Sequence, residues 1–201
     1  QAWEGTYGKP PDPVLVVVPF YVPPVDTPRP YYGAGFAEDL ARRIAEVRGV
    51  TVLGRSSVRA SAGKPPQAVA VSMGAGLALT GSLKPKDDEW TSIDIEARLI
   101  DARDGRVLWS RQRTGAAQDL LSVQADIARD VSARLGLPYS PAAEHNRGAL
   151  RLVSPGAYDK YLQAREAMAV FDASRAVQLF EAAAADDPSL IEAQAGLAEA
   201  L

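Results

Sequence analysis

One stretch, TSIDIEARLIDARDGRVLWSR from Thr91 to Arg111, constrains the fold of this chain more than any other. Ile93, Ile95, Ala97 and Leu99 fall on one face, and Ser92, Asp94, Glu96 and Arg98 on the other. Alternation with period two marks a half-buried strand. Asp101-Ala102-Arg103-Asp104-Gly105 interrupts it, and Gly105 supplies the positive φ a hairpin turn requires. Val107, Leu108 and Trp109 then resume a strand. A lone hairpin is marginal in water, so other elements must cover its apolar face. Trp109 is expected to anchor it in that core, because aromatic side chains bury large areas.

The preceding residues supply the cover. Val14–Val18 is apolar at successive positions, as in an interior strand covered on both faces. Pro19 to Pro30 holds five prolines and reads as a loop. A helix over Gly35–Val47 carries Phe36, Leu40, Ile44 and Val47 on one stripe, with Gly49 in its C′ position. Val50–Gly54 reads as a strand, Arg55-Ser56-Ser57 as a loop, Gln67–Gly74 as a short helix and Leu77–Leu83 as another strand. Lys84–Trp90 is a charged turn into the hairpin. A helix over Leu120–Leu135 presents Val123, Ile127, Val131 and Leu135, and stops at Gly136 and Pro138. The order predicts an α/β (α+β) unit, a mixed five-stranded sheet with packed helices.

Beyond it every signal is helical. Ser154-Pro155 is an N-cap with proline at N1, and Asp172 can cap a second helix over Ala173–Ala185. That helix turns Ala176, Val177, Phe180 and Ala183 inward and ends before Pro188. Ser189-Leu190-Ile191-Glu192 has the form of a capping box opening a third. The expected organisation is an irregular lead-in at 1–13, an α/β domain at 14–137, a linker at 138–154 and an all-α helical segment at 155–201.

Composition narrows the function. The 201 residues are 47% hydrophobic and 23% charged, as in folded proteins, with a net charge of −3 and no concentrated basic footprint. A nucleic-acid partner is therefore not expected. The absence of cysteine removes disulfides and thiol chemistry. No apolar run approaches the ~20 residues of a membrane span. The chain begins at Gln1, which we read as a processed form or an excised fragment. The compartment is left open, with an extracytoplasmic setting slightly ahead of a cytoplasmic one.

Residues that could carry chemistry stand apart from one another. His145, the one histidine, lies in the linker without a partner motif. Ser61-Ala62-Gly63-Lys64 fits S-x-x-K but has no companion motif. Gly74-Ala75-Gly76 and Thr80-Gly81-Ser82 lack the spacing of phosphate loops. Asp101, Asp104 and Gly105 miss the ligand ladder of a calcium loop, and Asp87-Asp88-Glu89 reads as a solvated turn. Asp94, Glu96 and Arg98 suggest cross-strand pairing. No catalytic residue, cofactor or metal is expected.

Taken together, VVVPF (Val16–Phe20), GFAEDL (Gly35–Leu40), VLGRSSV (Val52–Val58), LTGSL (Leu79–Leu83), ARLIDARDGRVLWS (Ala97–Ser110) and QADIARDVSARLGL (Gln124–Leu137) resemble the TolB amino-terminal-like, FlgO-like domain. The helical end resembles a tetratricopeptide repeat, with Ala164, Ala176, Phe180, Ala183 and Pro188 at that repeat's spacing and Ala167 where it carries a large aromatic. Since such solenoids need about three repeats, the chain is expected to continue beyond Leu201. The resemblance implies a noncatalytic interaction or sensory module, with a kinase, cyclase or winged-helix domain upstream. It also implies a protein-binding face on the first helix of the repeat: Tyr158, Tyr161, Arg165 and Met168 share one face there. The alternative for the two tyrosines is packing against the α/β domain or the last helix. A second reading is a small-molecule sensor, its pocket formed by the 19–30 loop, Arg55–Ser57 and the interdomain seam. An enzyme is a distant third.

Overall fold

A computed structural model describes residues 12–24, 29–53, 63–139 and 153–201. Its strands are β1 (Val14–Val17), β2 (Thr51–Val52), β3 (Leu77–Pro85), β4 (Ser92–Asp101) and β5 (Val107–Ala116). Its helices are α1 (Tyr31–Ala45), α2 (Pro66–Ser72), α3 (Leu120–Arg134), α4 (Pro155–Ala169), α5 (Ala173–Asp186) and α6 (Ile191–Ala200). The sheet order is β2-β1-β3-β4-β5. β1 runs parallel to β2 and β3, while β3, β4 and β5 are antiparallel. Parallel neighbours need crossovers, and α1 and α2 provide them. The expected mixed five-stranded sheet with packed helices is the observed fold.

Residue alternation explains the layers. Leu15 and Val17 of β1 join the main core with α1 and α3. Val16 and Val18 point the other way, onto Val69 and Ala70 of α2. Ile93, Ile95, Ala97 and Leu99 of β4 are buried on the main-core side, where Val123, Ile127 and Val131 of α3 meet them. Gly105 takes φ +73 in the β4–β5 turn.

Several boundaries differ from expectation, each for a local reason. α1 begins at Tyr31, directly after Pro30, because Tyr32 finds buried packing there. It can lie close to its neighbours because of two glycines. A Cβ on Gly33 would strike the carbonyl oxygen of Phe20, and one on Gly35 would come within 2.5 Å of Leu162 Cδ2. Gly49 does adopt φ +89, but α1 is already capped at Glu46. Ser154 and Asp172 cap α4 and α5, accepting from the backbone N–H of Ala157 and Arg175. The capping box does not form: Leu190 is the N-cap of α6, and Ser189 Oγ instead donates to Asp187 Oδ1 at 2.6 Å.

Trp109 is half-buried, not a core anchor, because β5 is an edge strand covered by α3 from one side. Trp90, in the stretch that reads as a charged turn, is instead the buried one of the two described tryptophans, 1% exposed. Its backbone at φ +62 swings the indole inward onto Tyr32, with ring centroids 4.7 Å apart. Asp87 holds that turn by accepting from Thr91 N, Thr91 Oγ1 and Ser92 N at 2.6, 2.7 and 3.1 Å. One apolar core extends from the sheet through α1 and α3 into α4, α5 and α6.

Candidate functional site

The densest meeting of polar and aromatic groups lies where α4 crosses α1. Asp39 sits beside the apolar stripe of α1 and is only 3% exposed. A buried carboxylate must be paired or hydrogen-bonded. Here Tyr161 Oη donates to its Oδ1 at 2.6 Å, Tyr158 Oη donates to its Oδ2 at 3.2 Å, and Arg42 forms an ion pair with it. Arg42 Nη2 also donates to Tyr161 Oη at 2.9 Å. Gln124 of α3, fully buried, donates to Tyr158 Oη at 3.2 Å and to the carbonyl of Phe36 at 3.4 Å. Burial, then the Asp39 charge, pushes both phenols well above the usual tyrosine range. Burial opposes the charge on Arg42 most strongly of any one cause, but Asp39, Tyr161 and Glu192 together outweigh it and the guanidinium is held more firmly protonated.

A ladder of rings runs through this seam. Trp90 and Tyr32 are followed by Tyr32–Tyr158 at 6.3 Å, Tyr158–Tyr161 at 5.8 Å and Tyr161–Phe180 at 6.1 Å. Arg29 lies over Tyr32 and Trp90, 5.7 and 5.6 Å from their centroids, and pairs with Asp159 at 3.3 Å. Tyr31 Oη donates to the same Asp159 oxygen at 2.9 Å.

Beside the seam is a groove of about 460 Å³. Its walls combine small residues, Ala37, Ala41 and Ala45 of α1 and Ala195 and Gly196 of α6, with the charged Glu38, Arg42, Glu192 and Glu199. Arg165, 7% exposed, reaches its wall from α4 between Glu199 (3.0 Å) and Glu38 (3.5 Å). Arg43 and Glu192 pair at 3.7 Å, so the glutamate expected in a capping box instead ties α6 to α1. A second hollow, of about 590 Å³, is lined by Phe20 and Tyr21 of the proline-rich loop, by Tyr31 at the start of α1 and by Lys64.

Tyr158, Tyr161, Arg165 and Met168 do share one face of α4, but that face is turned onto α1 and the core. Tyr158 and Tyr161 are buried, Arg165 is enclosed by glutamates, and Met168 packs half-buried on the apolar cluster. The packing alternative is therefore what the tyrosines adopt, because Asp39 offers them an acceptor inside. His145, Arg55–Ser57 and Ser61 lie outside the described residues. Asp94 bonds Thr114 across the β4–β5 pair, whereas Glu96 pairs with Arg98 two residues along its own strand. Among the described residues, no group of three or more His, Cys, Asp or Glu is placed to hold a metal ion, and no helix is long and apolar enough to cross a membrane.

Asp39, Gln124 and Trp90 do not stand out in the sequence reading. A signal exists for the first two. Asp39 adjoins Leu40 and follows Phe36 by three residues, and Gln124 adjoins Val123, so each is a polar group at the margin of a buried stripe.

No family model matches the chain. A protein of Rhizobium meliloti (strain 1021) carrying the provisional name adenylate cyclase 3 is 28% identical over 193 residues, which cover 94% of this chain. They make up 32% of that protein, so the chain spans about a third of its length. Among solved structures, TolB from Acinetobacter baumannii superposes with a TM-score of 0.43 at 13% identity, over 63% of this chain and 29% of that one. The C-terminal domain of LpoB from Escherichia coli gives 0.41 at 14%, over 52% and 83%. Lipoprotein GNA1162 from Neisseria meningitidis gives 0.40 at 17%, over 60% and 99%.

Proposed function

We propose that this chain is a noncatalytic protein-interaction module of a bacterial signalling protein, a TolB-like sheet domain carrying a tetratricopeptide-type helical hairpin. The observation that carries this reading is the tip between α4 and α5. Phe171 is 95% exposed and Val170 65% exposed. Phe171 also holds φ +61, a left-handed conformation unfavourable for a bulky side chain. The left-handed turn closes α4, with Asp172 N–H donating to the Ala167 carbonyl at 2.9 Å and Phe171 N–H to the Met168 carbonyl at 3.2 Å, but that position favours glycine and the exposed ring adds nothing to the cap, whereas aromatic residues are enriched at protein interfaces.

Two further observations support it. The two buried ionisable groups of the seam are each paired, Asp39 with Arg42 and Arg165 with Glu38 and Glu199, which suits a shape-keeping role. Similarity to a protein named for adenylate cyclase activity supports a place in signalling, with the chain as an accompanying part.

The test compares crosslinking and pull-down by the chain with a Val170→Ser/Phe171→Ser double variant. The variant is expected to stay folded and lose its partner; a folded variant that keeps every partner overturns the reading. Incubated with Mg²⁺ and ATP, the purified chain should release no cyclic AMP. Release that a single substitution abolishes would overturn the noncatalytic role.

A further inference from the structure

We propose that the outer edge of β5 docks an extended acidic segment of another protein, which adds a sixth strand to the sheet and sets acidic side chains at alternate positions beside Arg111 and Arg113. β5 closes the sheet order on one side, and no strand among the described residues pairs with its outer edge. The register fixes which groups lie there. Ala117 N–H donates to the Thr91 carbonyl at 3.2 Å, one step beyond the Ser92–Ala116 pair. Bonded pairs alternate along an antiparallel ladder, so Arg111, Arg113 and Gly115 turn their backbone groups to β4, while Ser110, Gln112 and Thr114 turn theirs outward. These last three residues are exposed. Such an edge is a template for another strand, and folds normally blunt it. Here the blunting stops short. A bulge lies opposite Leu99 and Ile100, and Arg134 Nε–H donates to the Leu108 carbonyl at 2.9 Å, so the protection ends before Ser110.

Side-chain charge selects the incoming strand. Arg111 and Arg113 point to the α3 side, where they meet Asp130 and Asp126. β5 and α3 together carry four arginines, Arg111, Arg113, Arg129 and Arg134, against two aspartates, Asp126 and Asp130. This is a local excess of positive charge on a chain of net charge −3. Arg111 and Arg113 stay partly in water, and a guanidinium has five N–H donors, so each can also receive a carboxylate from an added strand. The other face of the sheet asks for no charge. Glu96 and Asp94, across from Gln112 and Thr114, already pair with Arg98 and Lys86. A second copy of β5 is a poor occupant: a two-fold pairing centred on Arg111, Gln112 or Arg113 would set arginine opposite arginine, and like charges directly opposite are destabilising. The strand that fits is extended, acidic at every second residue and neutral between.

This edge belongs to a different element from the Phe171 tip and goes beyond the role proposed for that tip. Peptide titration reads β5 and crosslinking reads the tip, so each can fail alone. The probe is a fluorescein-labelled peptide of about seven residues alternating threonine and glutamate, titrated into the full chain by anisotropy. It should saturate at one site per chain and bind at least about ten-fold more tightly than the same peptide with lysine for glutamate. Two further versions are N-methylated, one at every threonine and one at every glutamate. Only alternate N–H groups of a paired strand face its neighbour, so one version should weaken by about ten-fold or more and the other stay within about two-fold. In the protein, Gln112→Pro removes an outward N–H, and Arg111→Gln/Arg113→Gln removes two charges, with a thermal melt confirming each fold. Each should weaken the glutamate peptide about ten-fold. Unsaturable binding, equal binding of the glutamate and lysine peptides, an equal response to the two methylations, or indifference to either folded variant would overturn the site. The methylated pair decides the matter by itself if Gln112→Pro does not fold. Dimerisation of the chain that Gln112→Pro abolishes, read by sedimentation, would overturn the acidic segment in favour of a second copy.

Discussion

Two faces of this molecule are held by arginine and aspartate, and they differ in their surroundings. Where β5 meets α3, Arg111 pairs with Asp130 at 2.6 Å, and Arg113 and Arg129 pair with Asp126 at 2.7 and 2.8 Å. All five side chains remain partly in water. Where α1 meets α4, Asp39 and Arg42 pair with the carboxylate removed from solvent and two phenols donating to it. Exposed pairs contribute ~0–1 kcal/mol because water competes for both partners. Removing one member of a buried network leaves desolvated groups without partners and costs ~3–5 kcal/mol. The same residue types thus decorate one face and determine the other.

The sharpest way to break this comparison is Asp39→Ala, which should destabilise the chain by ~3–5 kcal/mol in urea melts. A loss below ~1 kcal/mol would put the seam in the same class as the β5 face. A contrast of comparable size separates the tryptophans. Trp90→Ala should cost ~3–5 kcal/mol, and half-buried Trp109→Ala about half of that or less. Equal losses would show that burial does not distinguish the two positions.

These contrasts also show what the sequence makes legible. The alternation from Ile93 to Leu99 dictates strand and buried face by itself, since period two is a local property. The β-α-β-α-β-β-β-α order follows from such local patterns, and the sheet agrees with it. Trp90 escapes local reading because its neighbours are Asp87, Asp88 and Glu89, and only the positive φ of the folded turn sends it inward. Tyr158 and Tyr161 were legible as one face, but the acceptor that occupies that face is 119 to 122 residues away on α1. Glu192 has the spacing of a cap and serves as a tie to Arg43, because a tertiary partner outweighs a local one. The groove is legible only as a run of small residues, whose empty side becomes apparent once α6 is set against α1.

A smaller effect separates the seam from the surface by pH. Unfolded tyrosines lose their protons near pH ~10, whereas Tyr158 and Tyr161 hold theirs well above it in the fold. A raised folded value means their stabilisation is full below pH ~10 and falls as pH rises beyond it. Urea midpoints should therefore drop between pH 9 and 11, and a Tyr158→Phe/Tyr161→Phe variant should show a shallower drop; an unchanged slope would contradict the burial. The smallest effect belongs to the β5 face. Asp126→Ala should cost under ~1 kcal/mol and shrink further in high salt. A loss that is large and salt-independent would remove the distinction between the faces.

The bonds from Asp39 to Tyr158 and Tyr161 span more than half of the chain, and this has a consequence in time. During synthesis α1 emerges long before α4, so its carboxylate waits in water while the sheet is still being made. Closing so long a loop carries an entropic cost, and contacts of this separation form late in folding. The seam should then act as a latch on a largely assembled body. Weakening it with Tyr161→Phe is expected to speed unfolding while leaving the refolding rate nearly unchanged, as the two arms of a chevron would read. The helical end would thus be the last part to join and the first to leave.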